Sequence, residues 1–274
     1  MNSKTAFSKK DVIVIVLCGI FLAATVGSVG VSGRIRAKQA VCLSNLRQWG
    51  TVFAAYAQDN EGSTLSGPGI PGAEDWMCSL LPYYKEEKLL LCPMAVRPWK
   101  ESAMWGARDL AWWLLGDRPE VRDCDFHPAV VTGSYGINDY CWNAAPGELA
   151  TWEEWSATLC WRSFYLNQAD TVPLLADCIH IGGFPQHTDE PPLIEDMPWT
   201  SSNGEAGMAR FCMNRHEMGT INALFMDFSV RPVGLKELWT LKWNRRFIPH
   251  GPWTTAGGVQ PGDWPEWMRD FPDY

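Results

Sequence analysis

The hydrophobic pattern begins with one long apolar run. Residues 12–33 read VIVIVLCGIFLAATVGSVGVSG without a charge, after Lys4, Lys9 and Lys10. A helix needs about 20 apolar residues to cross the hydrocarbon core, so a transmembrane helix over 12–33 is expected, behind a cytoplasmic N-terminus of residues 1–11. A cleaved secretory signal shares the basic start and the small-residue end, but its apolar segment is shorter, which favours a retained anchor. Arg34, Arg36 and Lys38 balance the three N-terminal lysines, so the positive-inside rule does not decide orientation. The short N-terminus and the large cysteine-bearing remainder favour N-in, C-out insertion in a bacterial cytoplasmic (inner) membrane, with the domain in the periplasm or outside the cell.

Past the apolar run the periodicity stays helical. Ile35, Cys42, Leu46, Trp49, Phe53 and Tyr56 fall at steps of seven, four, three, four and three, which makes one stripe. An extramembrane continuation over 34–59 is therefore expected, giving a helix about 70 Å long from Asp11 to Asp59. Asn60, Glu61 and Gly62 supply the break.

Residues 60–274 read as a globular α+β domain. The stretch 67–167 is rich in Gly, Pro and Trp and weakly periodic, with short helices expected over 74–84 and 105–115. Strands are clearer later, over 172–178, 209–213 and 221–226, the last two reading as a hairpin around Gly219. A short helix over 234–247 places Leu235, Leu238, Trp239 and Trp243 on one side.

A net charge of -8 opposes phosphate-backbone binding and argues against a nucleic-acid partner. Sixteen tryptophans require either a core that holds them or a surface that uses them. Of nine cysteines, Cys18 lies in the apolar run and the other eight form no C-x-x-C pair, which favours disulfides or buried thiols over a metal knuckle.

Several local motifs stand in a telling order. Cys42-Leu-Ser-Asn-Leu-Arg-Gln48 precedes Tyr56-Ala-Gln-Asp-Asn-Glu-Gly62; Gly133-Ser-Tyr-Gly-Ile-Asn138 lies in the middle; Arg215-His216 leads to Asn222-Ala-Leu-Phe-Met-Asp227. In these the chain resembles the type IV pilin-like and pseudopilin-like proteins with a prepilin-type N-terminus and an H-x9-DG-like C-terminal motif, known from planctomycete-type bacteria. The resemblance implies an α+β pilin-like fold, in which a long N-terminal α-helix, its first half in the membrane, packs on an antiparallel β-sheet with Trp-rich loop insertions. It implies helix-to-helix packing with other pilin-like subunits, as in type II secretion or type IV pilus-like assemblies, and no catalysis and no cofactor. It also implies a disulfide between Cys42 and Cys92 of Leu91-Cys92-Pro93; two buried free thiols remain the alternative.

The chain departs from the family pattern at both ends. Aligning Phe7 as the first mature residue places Asp11 where the family has a Glu that neutralises a neighbouring subunit's N-terminal amine, but Ala6 stands in place of Gly, and Lys9 and Lys10 occupy apolar positions. At the other end ten residues separate His216 from Asp227, and Phe228 stands in place of Gly, which argues against a positive-φ turn there. Ala6, Phe7 and Asp11 are the candidate processing and assembly residues, and His216, Asn222 and Asp227 those of the C-terminal motif.

Other chemistry is weaker. Asp177, His180, His187, Asp189, His216 and Asp227 offer oxygen and nitrogen ligands, but their spacing demands no metal and solvated loop positions are the default. No G-x-S-x-G elbow or glycine-rich phosphate loop is present, so no enzyme is expected. Trp253, Trp264 and Trp267 sit in a polar, Pro-rich tail and suit glycan stacking. The sequence thus supports a membrane-anchored, pilin-like structural or interaction protein, or alternatively a non-polymerising tethered module that binds a glycan or an envelope partner through its Trp-rich loops.

Overall fold

A computed structural model describes residues 8–65, 76–98, 105–115, 130–143, 158–195, 207–216 and 218–274 and, within these, all side chains except those of residues 22–29, 31, 32 and 115. Ala6 and Phe7 lie outside the described residues.

Helix α1 (Lys9–Asp59) starts at a capping box: Ser8 Oγ accepts from Lys10 N at 3.1 Å and Asp11 Oδ2 accepts from Ser8 N at 2.9 Å. Asp11 therefore has a local structural task. The helix ends where Asn60 N donates to Tyr56 O at 3.0 Å and Gly62 takes φ +77, against the Tyr165 ring. Its two ends differ. Cys42, Leu46, Trp49 and Phe53 are fully buried, whereas the apolar residues of 12–21 are 50–70 % exposed.

Among the described residues no helix is long and apolar enough to cross a membrane. The expected single-pass anchor, and the N-in, C-out inner-membrane placement built on it, is accordingly withdrawn.

After α2 (Trp76–Ser79), strands β1 (Arg97–Pro98), β2 (Leu110–Leu115) and β3 (Val130–Gly133) form a three-stranded sheet, with β1 parallel and β3 antiparallel to β2. Strands β4 (Tyr135–Asn138), β5 (Pro173–Asp177), β6 (Gly182–Gly183), β7 (Thr220–Phe225) and β8 (Val230–Gly234) form a second sheet in the order β6-β4-β5-β7-β8. Both sheets are mixed, which corrects the pilin-like expectation of one antiparallel sheet. The cause is local: β5 runs antiparallel to β4, and the chain then reverses again within residues 178–181, so β6 returns parallel to β4 on its other side.

Other elements differ as well. Residues 110–115 form a strand rather than a helix, because a short apolar run carries no decisive period and β3 supplies the pairing. Residues Gly207–Arg210 make a 3-10 turn, so the hairpin is β7 with β8. Phe228 closes that hairpin at φ +64 despite its side chain, with its ring 5.7 Å from that of Phe164. Only Lys236–Thr240 of the expected C-terminal helix is helical, as 3-10, yet Leu235, Leu238, Trp239 and Trp243 are all buried.

The five-stranded sheet divides the interior. One side holds α1 through Leu46, Trp49 and Phe53 together with Leu175 and Leu224. The other holds Ile221, Ala223 and Phe225 against Leu238, Trp239, Trp243, Trp264 and Met268.

Candidate functional site

The motifs that carry the family resemblance meet at one point on the helix side of this sheet. Cys42 comes from α1, Cys92 from the loop after α2, Asp177 from the end of β5, and His216 from the segment leading into β7. One ligand-type atom from each lies within 4.8 Å of the others, and all four residues are buried.

The sequence builds this cluster by fixing each member from behind. His216 Nε2 lies 2.8 Å from Asp177 Oδ2 and 3.6 Å from Cys92 Sγ. Cys42 Sγ is 3.7 Å from Asp177 Oδ1 and accepts from Tyr135 Oη at 3.2 Å. Ser134 Oγ accepts from Cys92 N, so the Gly133–Asn138 motif orients both thiols. Arg215 donates to Asp177 Oδ1 at 3.3 Å and spends its other donors on the carbonyls of Ser134, Arg108, Ala107 and Cys178, which locks the guanidinium. Asn222 N donates to Asp177 Oδ2 at 2.8 Å. Two polar groups here have no hydrogen-bond partner among the described residues: His216 Nδ1 and both side-chain atoms of Asn222.

The electrostatics separate the two thiols. Burial raises the Asp177 carboxyl, but His216, Arg215 and the Asn222 N–H more than offset it and hold the group below its ordinary value. Burial lowers His216, yet Asp177 and then Cys92 outweigh this and raise it to about 9. Cys92, raised by burial, is brought down to about 7 by hydrogen bonding to Cys42 and His216 and by the charge of Arg215. Cys42 goes the other way, pushed up by burial, by Cys92 and by Asp177.

The cluster does not have the geometry of a nucleophilic relay. In a Cys–His–Asp relay the two ring nitrogens face opposite partners, whereas here the same Nε2 faces both Asp177 and Cys92. The inferred Cys42–Cys92 bridge is corrected in form: the two residues are brought together, but as free thiols, one turned to Asp177 and Tyr135, the other to His216. Cys78 is disulfide-bonded.

The remaining sequence candidates scatter. His180 lies against the Trp105 ring at 4.6 Å and near Arg210, His187 lies 5.8 Å from the Phe247 ring, and Asp189 Oδ2 accepts from Gln186 N and Met208 N. Asp227 is a turn residue, accepting from Ser229 N at 2.9 Å at the far end of β7 from His216. Trp264 is 2 % exposed, so it has no face for a sugar, and Trp253 and Trp267 are half-buried on the same cluster. Of the three, Trp264 thus belongs to the core, while Trp253 and Trp267 pack on it and stay partly exposed. Sequence reasoning missed Arg215 and Tyr135 as site residues and did not join Asp177 with the two cysteines. Their flanking motifs were the only signal.

No family model, curated protein or solved structure matches this chain.

Proposed function

We propose that this protein is a non-catalytic, pilin-like structural or interaction subunit whose partners are further copies that pack through the N-terminal part of α1. The carrying observation is the contrast along that helix. From Cys42 onward it is bound to its own domain, while Val12, Ile13, Val14, Ile15, Val16, Leu17, Ile20 and Phe21 remain 50–70 % exposed. These positions run right round the helix rather than along one stripe, which suits burial among several helices better than docking on one surface. The resemblance carried by the motifs from Cys42 to Asp227 supports the same reading. Burial of the entire Cys/His/Asp cluster argues against turnover of a substrate there.

Sedimentation of the full chain tests this. Wild type self-associates, and the double substitution Ile13→Asp, Leu17→Asp yields monomers with an unchanged near-UV spectrum. Oxidation should join copies through the exposed Cys18. A wild type that stays monomeric as concentration rises overturns the proposal.

A further inference from the structure

We infer that Cys42, Cys92, Asp177 and His216 form a buried four-ligand site for one divalent transition metal of zinc type, which fastens α1 to the five-stranded sheet. The inference stands apart from the subunit reading, since it concerns how the domain closes and not what it meets.

Geometry is the first argument. A tetrahedral zinc centre with bonds of about 2.3 Å to sulfur and about 2.1 Å to nitrogen and oxygen has ligand-to-ligand edges of about 3.4–3.8 Å. The observed Cys92 Sγ to His216 Nε2 distance is 3.6 Å, and Cys42 Sγ to Asp177 Oδ2, the oxygen that faces His216, is 3.8 Å. The hydrogen-bonded His216 Nε2 to Asp177 Oδ2 pair, at 2.8 Å, must open by about 0.6 Å, and no two of the four ligand atoms are more than 4.8 Å apart. The four donors come from four separate segments, yet all point inward to one centre.

Charge is the second argument. Two thiolates and a carboxylate bring three negative charges, a divalent ion and the fully buried Arg215 bring three positive ones, and the interior is left neutral. Arg215 already bonds Asp177 Oδ1 and so is placed to hold the carboxylate as a supporting partner rather than compete for the ligands. Ligand softness then selects the ion: two sulfurs with one imidazole and one carboxylate suit Zn²⁺ or Co²⁺ and not Mg²⁺ or Ca²⁺.

A third observation is independent of both. Asn222 is fully buried on the face of β7 that carries Leu224, the α1 side, and neither its amide oxygen nor its nitrogen has a partner among the described residues. An orphaned amide beside the carboxylate is costly in a dry core, and it gains a use as a polar neighbour of a metal-bound ligand. Binding replaces the Cys42 and Cys92 S–H bonds and the His216 Nε2–H bond on the Asp177 side with metal–ligand bonds and releases those protons to solvent, leaving the neutral His216 ring its proton on Nδ1.

The test uses the full chain, reduced with a phosphine under inert gas and titrated with Co²⁺ alone. One equivalent should produce thiolate charge-transfer absorption and the visible bands of a tetrahedral centre, and one equivalent of Zn²⁺ should abolish both. Cys42→Ser and Cys92→Ser should each reduce the charge-transfer absorption by about half, and Zn²⁺ should protect these two thiols, not Cys178 or Cys212, from alkylation. Absence of the bands in folded wild type overturns the inference without recourse to a variant. So does Co²⁺ absorption that persists in the double Ser variant, which places the metal elsewhere, or a Cys42–Cys92 disulfide that forms even when Zn²⁺ is supplied first.

Discussion

The two sides of the five-stranded sheet bury cysteines equally deeply and surround them with different groups, so that only Cys92 on the α1 side is brought below its ordinary value. On the α1 side, Cys42 and Cys92 sit among Asp177, His216 and Arg215. On the other side, Cys212 is buried beside Met268, with its Sγ 3.9 Å from the Met268 sulfur, and Cys178 is enclosed with Met208 and Phe211. Burial pushes Cys178 up to about 12 against the opposing pull of the His180 N–H, Arg210 and Arg215, and pushes Cys212 higher still with help from Glu195, while Cys92, no less enclosed, is brought to about 7 by hydrogen bonds with Cys42 and His216 and by the charge of Arg215. Depth therefore does not define a thiol; the fixed charges around it do.

That contrast breaks first at Asp177. Asp177→Ala strands Arg215, fully enclosed, and His216 without their counter-charge, and should cost about 3–5 kcal/mol in denaturant unfolding of the metal-free protein. Cys212→Ala, on the apolar side, removes only packing and should cost about 1 kcal/mol in the same assay. A similar loss for both would show that the charges around the first pair contribute little.

A third experiment moves to Asp139, which burial raises to about 7 against the weaker opposing pull of Arg210. Because the folded state keeps a proton that the unfolded chain releases, this group lowers stability as pH rises from its ordinary value of 3.8 through about 7. Asp177 has the opposite sign, its contribution being lost as pH falls through its depressed value. The difference in melting temperature between wild type and Asp139→Asn, scanned over that window, should therefore shrink toward acid and grow toward neutrality. The smallest effect is expected for Phe228→Gly: relief of the left-handed backbone, about 1 kcal/mol, nearly cancels the lost contact with Phe164 and leaves a net change within about 0.5 kcal/mol.

The helical stripe through Cys42, Leu46, Trp49 and Phe53 was legible because one period runs unbroken, and these residues are the ones that meet the sheet. The break at Asn60 to Gly62 was legible from composition. The mixed sheets were not, since β1 and β6 are two residues each and carry no pattern, and β2 reads equally well as a helix. Of the site, the motifs marked Cys42, Cys92, Asn222 and His216, and Asp177 stood among the weak ligand candidates. What the sequence could not supply was the meeting of Cys42, Cys92, Asp177 and His216, because the nearest two of these four in the chain, Asp177 and His216, are 39 positions apart. In the Trp-rich tail an indole reaches a core from an irregular segment as readily as from a helix: Trp264 is 2 % exposed, and Trp267, partly exposed, donates its N–H to the Pro192 carbonyl.

The chain distances inside the cluster also set a clock. Cys42 and Asp177 are 135 positions apart, and Cys92 and His216 are 124 apart. At an elongation rate of about 5–20 residues per second, Cys42 waits roughly 7–27 seconds in a growing chain before its carboxylate neighbour exists. Through that interval neither the apolar wall nor the charges that distinguish it from Cys178 are in place, and every cysteine in the nascent chain is an ordinary exposed thiol. Which chemistry Cys42 ends with is then a race between the closing of β5 and β7 over α1 and whatever oxidant or metal ion reaches the sulfur first.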